Sequence, residues 1–191
     1  MNVSQTYLNS RIPGLSADPE EVAGLLRRGG FEVSRMVPLA ELLQPVVVAR
    51  VESVTQHPNA DRLKVCVVND GTDQSLQIVT GADNVQAGAY YPVIRSGVRL
   101  PNGVKIKRGK MRGEVSEGML GSADELELGT DHAGLMTLPG EPAPGTPLPE
   151  VMEIPGVVFV IDGNHEVDEI VRALGGDVPE RNAAGEPEAA A

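Results

Sequence analysis

The sequence predicts an α+β fold in which a small β-barrel or β-sandwich is flanked by two pairs of one helix and one strand. From Val46 onward, the middle of the chain consists of short β-branched runs separated by turn signals, which is typical of a small barrel or sandwich. A helix and a strand are predicted within residues 1–40, and a strand and a helix within residues 151–176. Because neither terminal pair could bury its apolar face alone, we predict that the two pairs pack together.

The N-terminal pair carries the start and stop signals of a helix. Asp18 is predicted to be the N-cap, with Pro19 in the first turn and Glu21 as the capping-box partner. The glycine pair at 29–30 would end this helix, and the loosely alternating residues 31–37 predict a strand that returns beside it.

The C-terminal pair has a similar size in the reverse order. Val157–Ile161 is an apolar run typical of a strand, and apolar residues recur at helical spacing in residues 164–174. Residues 177–191 have almost no large apolar side chains, so we expect a disordered acidic tail. The predicted units are a discontinuous small α/β domain of residues 1–40 and 151–176, a central domain of residues 41–150, and this tail.

The central domain offers five candidate strands. The first begins as a continuous apolar run and ends in alternation, as a long strand does when it bends around a barrel. Residues 69–71 predict a hairpin turn, and Pro92 would confine the fourth strand to an edge or a bulge. Ser122 and Glu125 would cap a brief helix. The candidate strands cover residues 46–54, 63–68, 76–79, 90–94 and 134–138, the last of which would close the barrel.

Composition predicts a soluble cytoplasmic protein with no membrane partner. No apolar stretch approaches the roughly 20 residues that cross a bilayer, and the N-terminus lacks the layout of a signal peptide. The single cysteine, Cys66, excludes an intrachain disulfide and lies in an apolar run, where a buried structural thiol is expected.

The net charge of −11 is distributed unevenly. Residues 1–40 hold four Lys/Arg and four Asp/Glu, a balance of 0; residues 41–150 hold ten and fourteen, a balance of −4; residues 151–191 hold two and nine, a balance of −7. Salt screens charges over roughly 8 Å, so a distant acidic tail only weakly offsets a local basic patch. Nucleic acid is therefore a possible ligand, with modest affinity that falls with salt.

The densest positive charge lies in residues 104–122. Alternation predicts a strand whose lysines lie on the side opposite its apolar residues, Val104, Ile106 and Met111. Such a charged face suits a phosphate backbone. The alternative is a solubilising edge strand, because exposed lysines discourage aggregation. The cations are Lys105, Lys107, Arg108, Lys110 and Arg112.

No catalytic or metal-binding motif is found in the sequence. His57, His132 and His165 lie far apart without a second ligand at metal spacing, which favours turn or surface positions. Residues 103–110 superficially resemble a phosphate loop, but the spacing is too long and a methionine follows where Ser or Thr would hold magnesium. We therefore expect no catalytic residue, no metal and no cofactor. The Asn84 amide, in a predicted tight loop, could lock the backbone or contact a ligand.

Several polar motifs occur in a fixed order along the central domain: His57–Leu63, Gln77–Val85, Leu100–Gly103, Ile106–Lys107, Met111–Leu120 and Ser122. Together they resemble the tRNA-binding OB-fold family, which occurs in bacterial phenylalanyl-tRNA synthetase β subunits, methionyl-tRNA synthetase extensions and free-standing tRNA-binding proteins. Met1–Ser4 and the terminal helix and strands are similar to the start of the phenylalanyl β subunit in particular. There, the OB module is inserted into a small α/β domain.

This resemblance implies a five-stranded OB-fold β-barrel inserted into an α/β domain, in a free-standing or truncated relative that binds tRNA. Thr80 and Gly121 stand where the family commonly has Cys. The β subunit's later domains have no counterpart in this sequence, so we expect no aminoacylation by this chain alone.

The predicted contacts with RNA follow from the chemistry of the residues available. The chain has no Trp, two Phe and three Tyr, so base stacking can contribute little. Charge and hydrogen bonding remain, and these recognise the shape of folded RNA and the 2′-hydroxyl. Gly113 and Gly118 would permit close backbone approach. We predict electrostatic contacts from Lys105, Lys107, Arg108, Lys110 and Arg112, and hydrogen bonds from Asn84, Ser116 and Ser122.

Three functions are compatible with these features. A non-catalytic tRNA-binding protein is favoured by the compact length and the missing catalytic motifs. An accessory or docking component of phenylalanyl-tRNA synthetase would contact synthetase subunits through the OB module or residues 151–175. A hydrolase acting on mischarged tRNA would need a nucleophile or metal set, and none is found. A homodimer is left open.

Overall fold

The computed structural model describes residues 1–129 and 133–178. His132 and nearly all of the predicted disordered tail lie outside the described residues. The elements are β1 (Asn2–Ser4), α1 (Gln5–Arg11), α2 (Pro19–Arg28), β2 (Val33–Pro38), α3 (Leu39–Leu42), β3 (Val47–Gln56), β4 (Lys64–Asn69), β5 (Leu76–Thr80), β6 (Tyr90–Arg95), β7 (Gly109–Met111), β8 (Glu114–Ser116), β9 (Gly118–Leu120), α4 (Leu148–Val151), β10 (Val157–Ile161) and α5 (Val167–Ala173).

Helix α2 begins at the predicted cap. The Asp18 side chain accepts a hydrogen bond from the Glu20 N–H at 2.9 Å, and Pro19 fills the first helical position, where a missing N–H costs nothing. The predicted capping box is wrong, because Glu21 accepts a hydrogen bond from the Ser16 hydroxyl instead. The helix buries Val22 and Leu26.

Five antiparallel strands form a nearly closed barrel in the order β5-β4-β3-β6-β9, which is consistent with the predicted OB-like barrel. Strand β3 pairs with β6 through its first half and with β4 through its second half, with a register shift between Val51 and Ser53 that bends it. The barrel encloses Ile78, Tyr91 and Cys66. Burial raises the pKa of the Cys66 thiol, although nearby Lys64 opposes this shift.

Two strand predictions in the barrel are wrong. The fifth strand is β9, because residues 134–138 contribute only an isolated bridge between Leu138 and Tyr90. Pro92 lies in an internal strand, since β6 pairs with both β3 and β9. The barrel tolerates this proline because the facing carbonyl acceptors have other donors: the Val48 carbonyl accepts from the Gly145 N–H at 2.8 Å, and the Gly121 carbonyl accepts from the Met136 N–H at 3.0 Å.

The two ends of the chain meet in a second sheet of order β1-β10-β2, in which β10 is central and antiparallel to both neighbours. Its apolar side packs on α1, α2 and α5, and the core includes Leu8, Leu26, Phe159 and Ile170. The neighbouring residue Val158 lies on the other face of β10, where it packs with Leu39 and with residues on the outside of the barrel. In the described part of the chain, no helix is long and apolar enough to span a bilayer.

Candidate nucleic-acid interface

Three of the predicted cations, Lys105, Lys110 and Arg112, lie on two consecutive hairpins, and Lys107 and Arg108 lie in the segment between them. In the first, residues 104–106 run antiparallel to residues 97–100: the Ile106 N–H donates to the Val98 carbonyl and the Leu100 N–H to the Val104 carbonyl, both at 2.8 Å. The second is β7 and β8, which pair from Gly109 opposite Ser116 to Met111 opposite Glu114. We call these the first and second cationic hairpins.

The single strand predicted for this region is wrong. Residues 104–108 do not form a regular β-strand. Val104 and Met111 are 54% and 46% exposed rather than buried. Only Ile106 packs against the core. The second hairpin reverses at Arg112 and Gly113, whose φ angles are 48° and 104°. This left-handed geometry suits a tight hairpin turn, and it suits the glycine better than the arginine.

All five predicted cations are exposed. Arg108 forms an ion pair, with its Nη2 atom 3.6 Å from Oε1 of Glu117. Within residues 1–129 and 133–178, the other four form no ion pair. These four charges are Lys105, Lys107, Lys110 and Arg112, and their side chains are available to a ligand.

The turn at His57 positions the second cationic hairpin. His57 is buried, and its Nδ1 atom accepts a hydrogen bond from the Asn59 N–H at 3.0 Å. The imidazole proton therefore belongs on Nε2, which donates to the Met111 carbonyl at 2.8 Å. The Asn59 amide adds a hydrogen bond to the Arg112 carbonyl at 3.2 Å. This turn thus holds the tip of the hairpin against β4.

The hydrogen-bonding residues predicted to contact RNA are engaged within the protein. Ser116 is buried: its hydroxyl accepts from the Val79 N–H at 3.1 Å and donates to the Gly118 carbonyl at 2.9 Å. It therefore closes the gap between β5 and β8, and its contact with RNA stays a prediction. Gly118 likewise serves close strand packing, since an added Cβ would lie 2.6 Å from the Ile94 carbonyl oxygen.

Asn84 and Ser122 fix loops. The Asn84 amide donates to the Leu135 carbonyl at 2.8 Å and accepts from the Leu135 N–H at 2.9 Å, the first of the two roles predicted for it. The Ser122 hydroxyl donates to Oε2 of Glu125 at 3.0 Å and accepts from the Glu125 N–H at 3.2 Å. This is the predicted capping box, but it closes a turn rather than a helix.

Comparisons with known proteins identify the family of this barrel. Residues 46–147 match the family described as "Putative tRNA binding domain". The chain belongs to this family. Its relatives include the phenylalanine–tRNA ligase beta subunit of Bordetella parapertussis, 43% identical over 162 residues that make up 84% of this chain and 20% of that protein. The beta subunit of Syntrophus aciditrophicus is 40% identical over 161 residues, again 84% and 20%.

The chain thus spans about a fifth of the length of these curated relatives. Among solved structures, a MetRS related protein from Pyrococcus horikoshii is 23% identical, with a TM-score of 0.40 over 54% of this chain and 87% of that chain. The predicted membership of the tRNA-binding family and the resemblance to phenylalanine–tRNA ligase beta subunits are confirmed.

In this member of the tRNA-binding family, sequence reasoning missed one cation. Arg99 is exposed and lies directly opposite Lys105 across the first cationic hairpin. Its guanidinium donates to the Gly103 carbonyl at 2.9 Å. The turn predicted at residues 100–103 was the available signal, because a hairpin around it brings residues 99 and 105 together.

A further arginine of the barrel is committed elsewhere. Nε of Arg95 lies 2.5 Å from Oδ2 of buried Asp70, and Nη2 donates to the Asp70 carbonyl at 2.9 Å. Burial raises the pKa of the Asp70 carboxyl, but the hydrogen bonds from Thr72 and Arg95 outweigh this and hold it below its usual range. Among the residues described, no group of three or more His, Cys, Asp or Glu could hold a metal ion.

Proposed function

We propose that this chain binds tRNA without catalysing a reaction, and that the two cationic hairpins contact the phosphate backbone. The family description and the names of the relatives support tRNA as the ligand. The observation that carries the proposal is the set of exposed cations on and between the hairpins, of which Arg108 alone forms an ion pair within the described residues.

The pairing of Arg99 with Lys105 supports an anionic ligand. Like charges directly opposite each other in an antiparallel ladder destabilise the pair. A phosphate between them would remove this repulsion. A purely solubilising role would be served equally well by alternating charges, so the like-charged pair favours binding over the edge-protection alternative.

The hairpins would recognise the shape of RNA more than its sequence. The protein has no Trp and only two Phe, so stacking of bases on aromatic rings contributes little. Contacts to phosphate and to the 2′-hydroxyl remain, and these suit a folded RNA. Because the attraction comes from contacts between cations and phosphates, affinity should fall as salt rises, and the net charge of −11 should keep that affinity modest.

We further propose that residues 1–40 and 151–176 form one small α/β domain that carries the barrel of residues 41–150. The central position of β10 between β1 and β2 supports this division. The Asn2 amide donates to the Pro101 carbonyl at 3.0 Å, which joins this domain to the turn of the first cationic hairpin. The domain would therefore brace the RNA-binding surface.

A second candidate function is an accessory component of phenylalanine–tRNA ligase. The identity with the beta subunits extends over 162 residues and so passes beyond residues 46–147 into the terminal segments. Co-purification with synthetase subunits after ribonuclease treatment would support this role, and loss of the complex on ribonuclease treatment would contradict it. A deacylation assay with mischarged tRNA tests the hydrolase alternative.

A mobility-shift titration with total bacterial tRNA across a salt series tests the main proposal. We expect a shift at low salt that weakens as salt rises, and little displacement by single-stranded DNA. Absence of a shift at low salt, or equal displacement by the DNA, would contradict the proposal.

A further inference from the structure

A cavity of about 510 Å³ adjoins the second cationic hairpin. We call it the methionine groove, after Met111 and Met119 in its wall. It lies between the end of β5 and the segment that follows β9, and the cationic side chains of the hairpins do not line it among the described residues. The residues that line it include Leu63, Gly81, Asp83, Met111, Met119 and Glu125.

The wall of the groove presents apolar side chains, of which Met111 and Leu63 lie outside the hydrophobic cores and Met119 lies at the edge of one. Met111 is 46% exposed, although it sits between two cations on a hairpin whose tip is fixed by His57. Met119 and Leu63 are half-buried and continue the same wall. Polarizable thioethers make favourable contacts with aromatic rings, so this wall suits the face of a nucleobase.

The charged side chains that line the groove are both carboxylates, which accept hydrogen bonds. The exposed Asp83 carboxylate lines it, as does Glu125, whose Oε2 atom is held by the Ser122 N–H at 2.9 Å. Two carboxylates repel a phosphate but accept hydrogen bonds from the amino group of a base, as Asp and Glu do from N4 of cytosine. Phosphates therefore belong on the hairpins beside the groove.

We propose that the methionine groove holds one unpaired RNA base that carries an exocyclic amino group, while the adjacent cations bind the flanking phosphates. This inference rests on the proposed tRNA binding and adds a base-specific contact to it. Apolar walls complement the ring, carboxylates complement the amino group, and cations complement the backbone, so the charge pattern matches a nucleotide better than an acidic or a basic peptide.

Two RNA hairpins of identical stem test the proposal, one with a loop of uridines and one with a single cytidine in that loop. The variant Gly81→Leu fills the groove: the backbone there is not left-handed, and an added Cβ would meet only Leu63 Cδ2 at 3.6 Å and the Arg62 carbonyl at 3.7 Å. Gly129→Leu is the matched control, because it lines a different cavity and its Cβ would meet only Ala123 at 3.8 Å.

Fluorescence anisotropy should give about fivefold tighter binding of the cytidine loop by the wild-type protein. Gly81→Leu should abolish this preference and leave the salt dependence unchanged, whereas Gly129→Leu should keep both. Equal affinity of the wild type for the two loops, or a preference that persists in Gly81→Leu, would overturn the inference while leaving tRNA binding intact. If the wild type binds neither tRNA nor either of the two RNA hairpins, the proposed function is overturned as well.

Discussion

The hydroxyl of Ser116 substitutes for a missing strand contact in the barrel. It satisfies the N–H of Val79 on β5 and the carbonyl of Gly118, while the Glu117 carboxylate accepts from the Gln77 N–H at 3.0 Å. These side chains complete the wall where the β5 and β9 backbones are not paired in a ladder. The sequence placed Ser116 beside glycines and cations, which made it look like a ligand contact.

Ser116→Ala should destabilise the fold by about 1–2 kcal/mol, because the Val79 N–H is left buried without an acceptor. Urea unfolding measures this change, and tRNA affinity of the folded variant should be unaltered. Ser75→Ala is the control, since its hydroxyl is exposed and bonds only to Glu52; it should change stability by less than about 0.5 kcal/mol. If Ser116→Ala loses tRNA affinity without losing stability, the structural role is contradicted and the predicted contact of Ser116 with RNA is supported.

Asp70 ties stability to pH. Its pKa is held below the usual range, so its contribution is present above the unfolded-state pKa and is lost as the pH falls through the folded-state pKa. Asp70→Asn should cost about 2 kcal/mol at neutral pH, since it removes a charged partner of Arg95. The difference in unfolding free energy between wild type and variant should become smaller as the pH falls.

Urea unfolding from neutral to acidic pH follows this difference. Asp73→Asn serves as the control, because Asp73 is an exposed carboxylate in the same loop. If the difference in unfolding free energy between the wild type and Asp70→Asn stays constant throughout the acid range, the assigned role of the ion pair is contradicted.

At the scale of elements, the second cationic hairpin depends on a turn more than 50 residues away. Nε2 of His57 holds the Met111 carbonyl, and the separation along the chain is 54 residues. His57→Ala should therefore loosen residues 109–116 while the barrel strands persist. Hydrogen exchange should show lost protection there but not in β3 and β4, and tRNA affinity should fall about threefold. Unchanged protection of the hairpin would contradict this anchoring.

The composition of the hairpins could be predicted, but their geometry could not. Five closely spaced cations indicate a basic surface wherever they fold. The reversal at Arg112 was missed because arginine rarely adopts a positive φ, and only Gly113 signalled a turn. The role of Ser122 is set by Glu125, three residues on, which the local pattern did reveal, whereas the role of Asn84 is set by a distant partner. For Asn84 the partner is Leu135, 51 residues away.

At the scale of the whole molecule, β10 connects the two hydrophobic cores. Phe159 packs with Leu26 in the core of the terminal segments, and its neighbour Val158 packs with Leu39 and Ile94 against the barrel. Replacement of the fully buried Phe159 by Ala should lower the free energy of unfolding by about 3–5 kcal/mol. Because adjacent residues serve both cores, we predict one cooperative transition that Phe159→Ala and Val158→Ala both shift. Calorimetry showing two transitions, with Phe159→Ala moving only one, would contradict this coupling.

Periodicity and turn signals predicted most strands of the barrel and α2, β2, β10 and α5 in the terminal segments, but not helix α1. They could not predict which strands become neighbours, because closure depends on contacts such as that of Gln77 with Glu117, 40 residues apart. For the same reason the short β9 was missed: three residues carry too little periodicity.

The salt dependence of tRNA binding tests the central claim most directly. Lys105→Gln/Lys107→Gln removes two exposed cations, one on the first cationic hairpin and one directly after it, and Arg27→Gln/Arg28→Gln removes two from the surface of α2 with the same change in net charge. We predict that the first pair of substitutions makes the negative slope of log affinity against log salt less steep by about two and weakens binding. The second pair should leave the slope unchanged. Equal slopes for the wild type and both variants would contradict the assignment of phosphate binding to the hairpins.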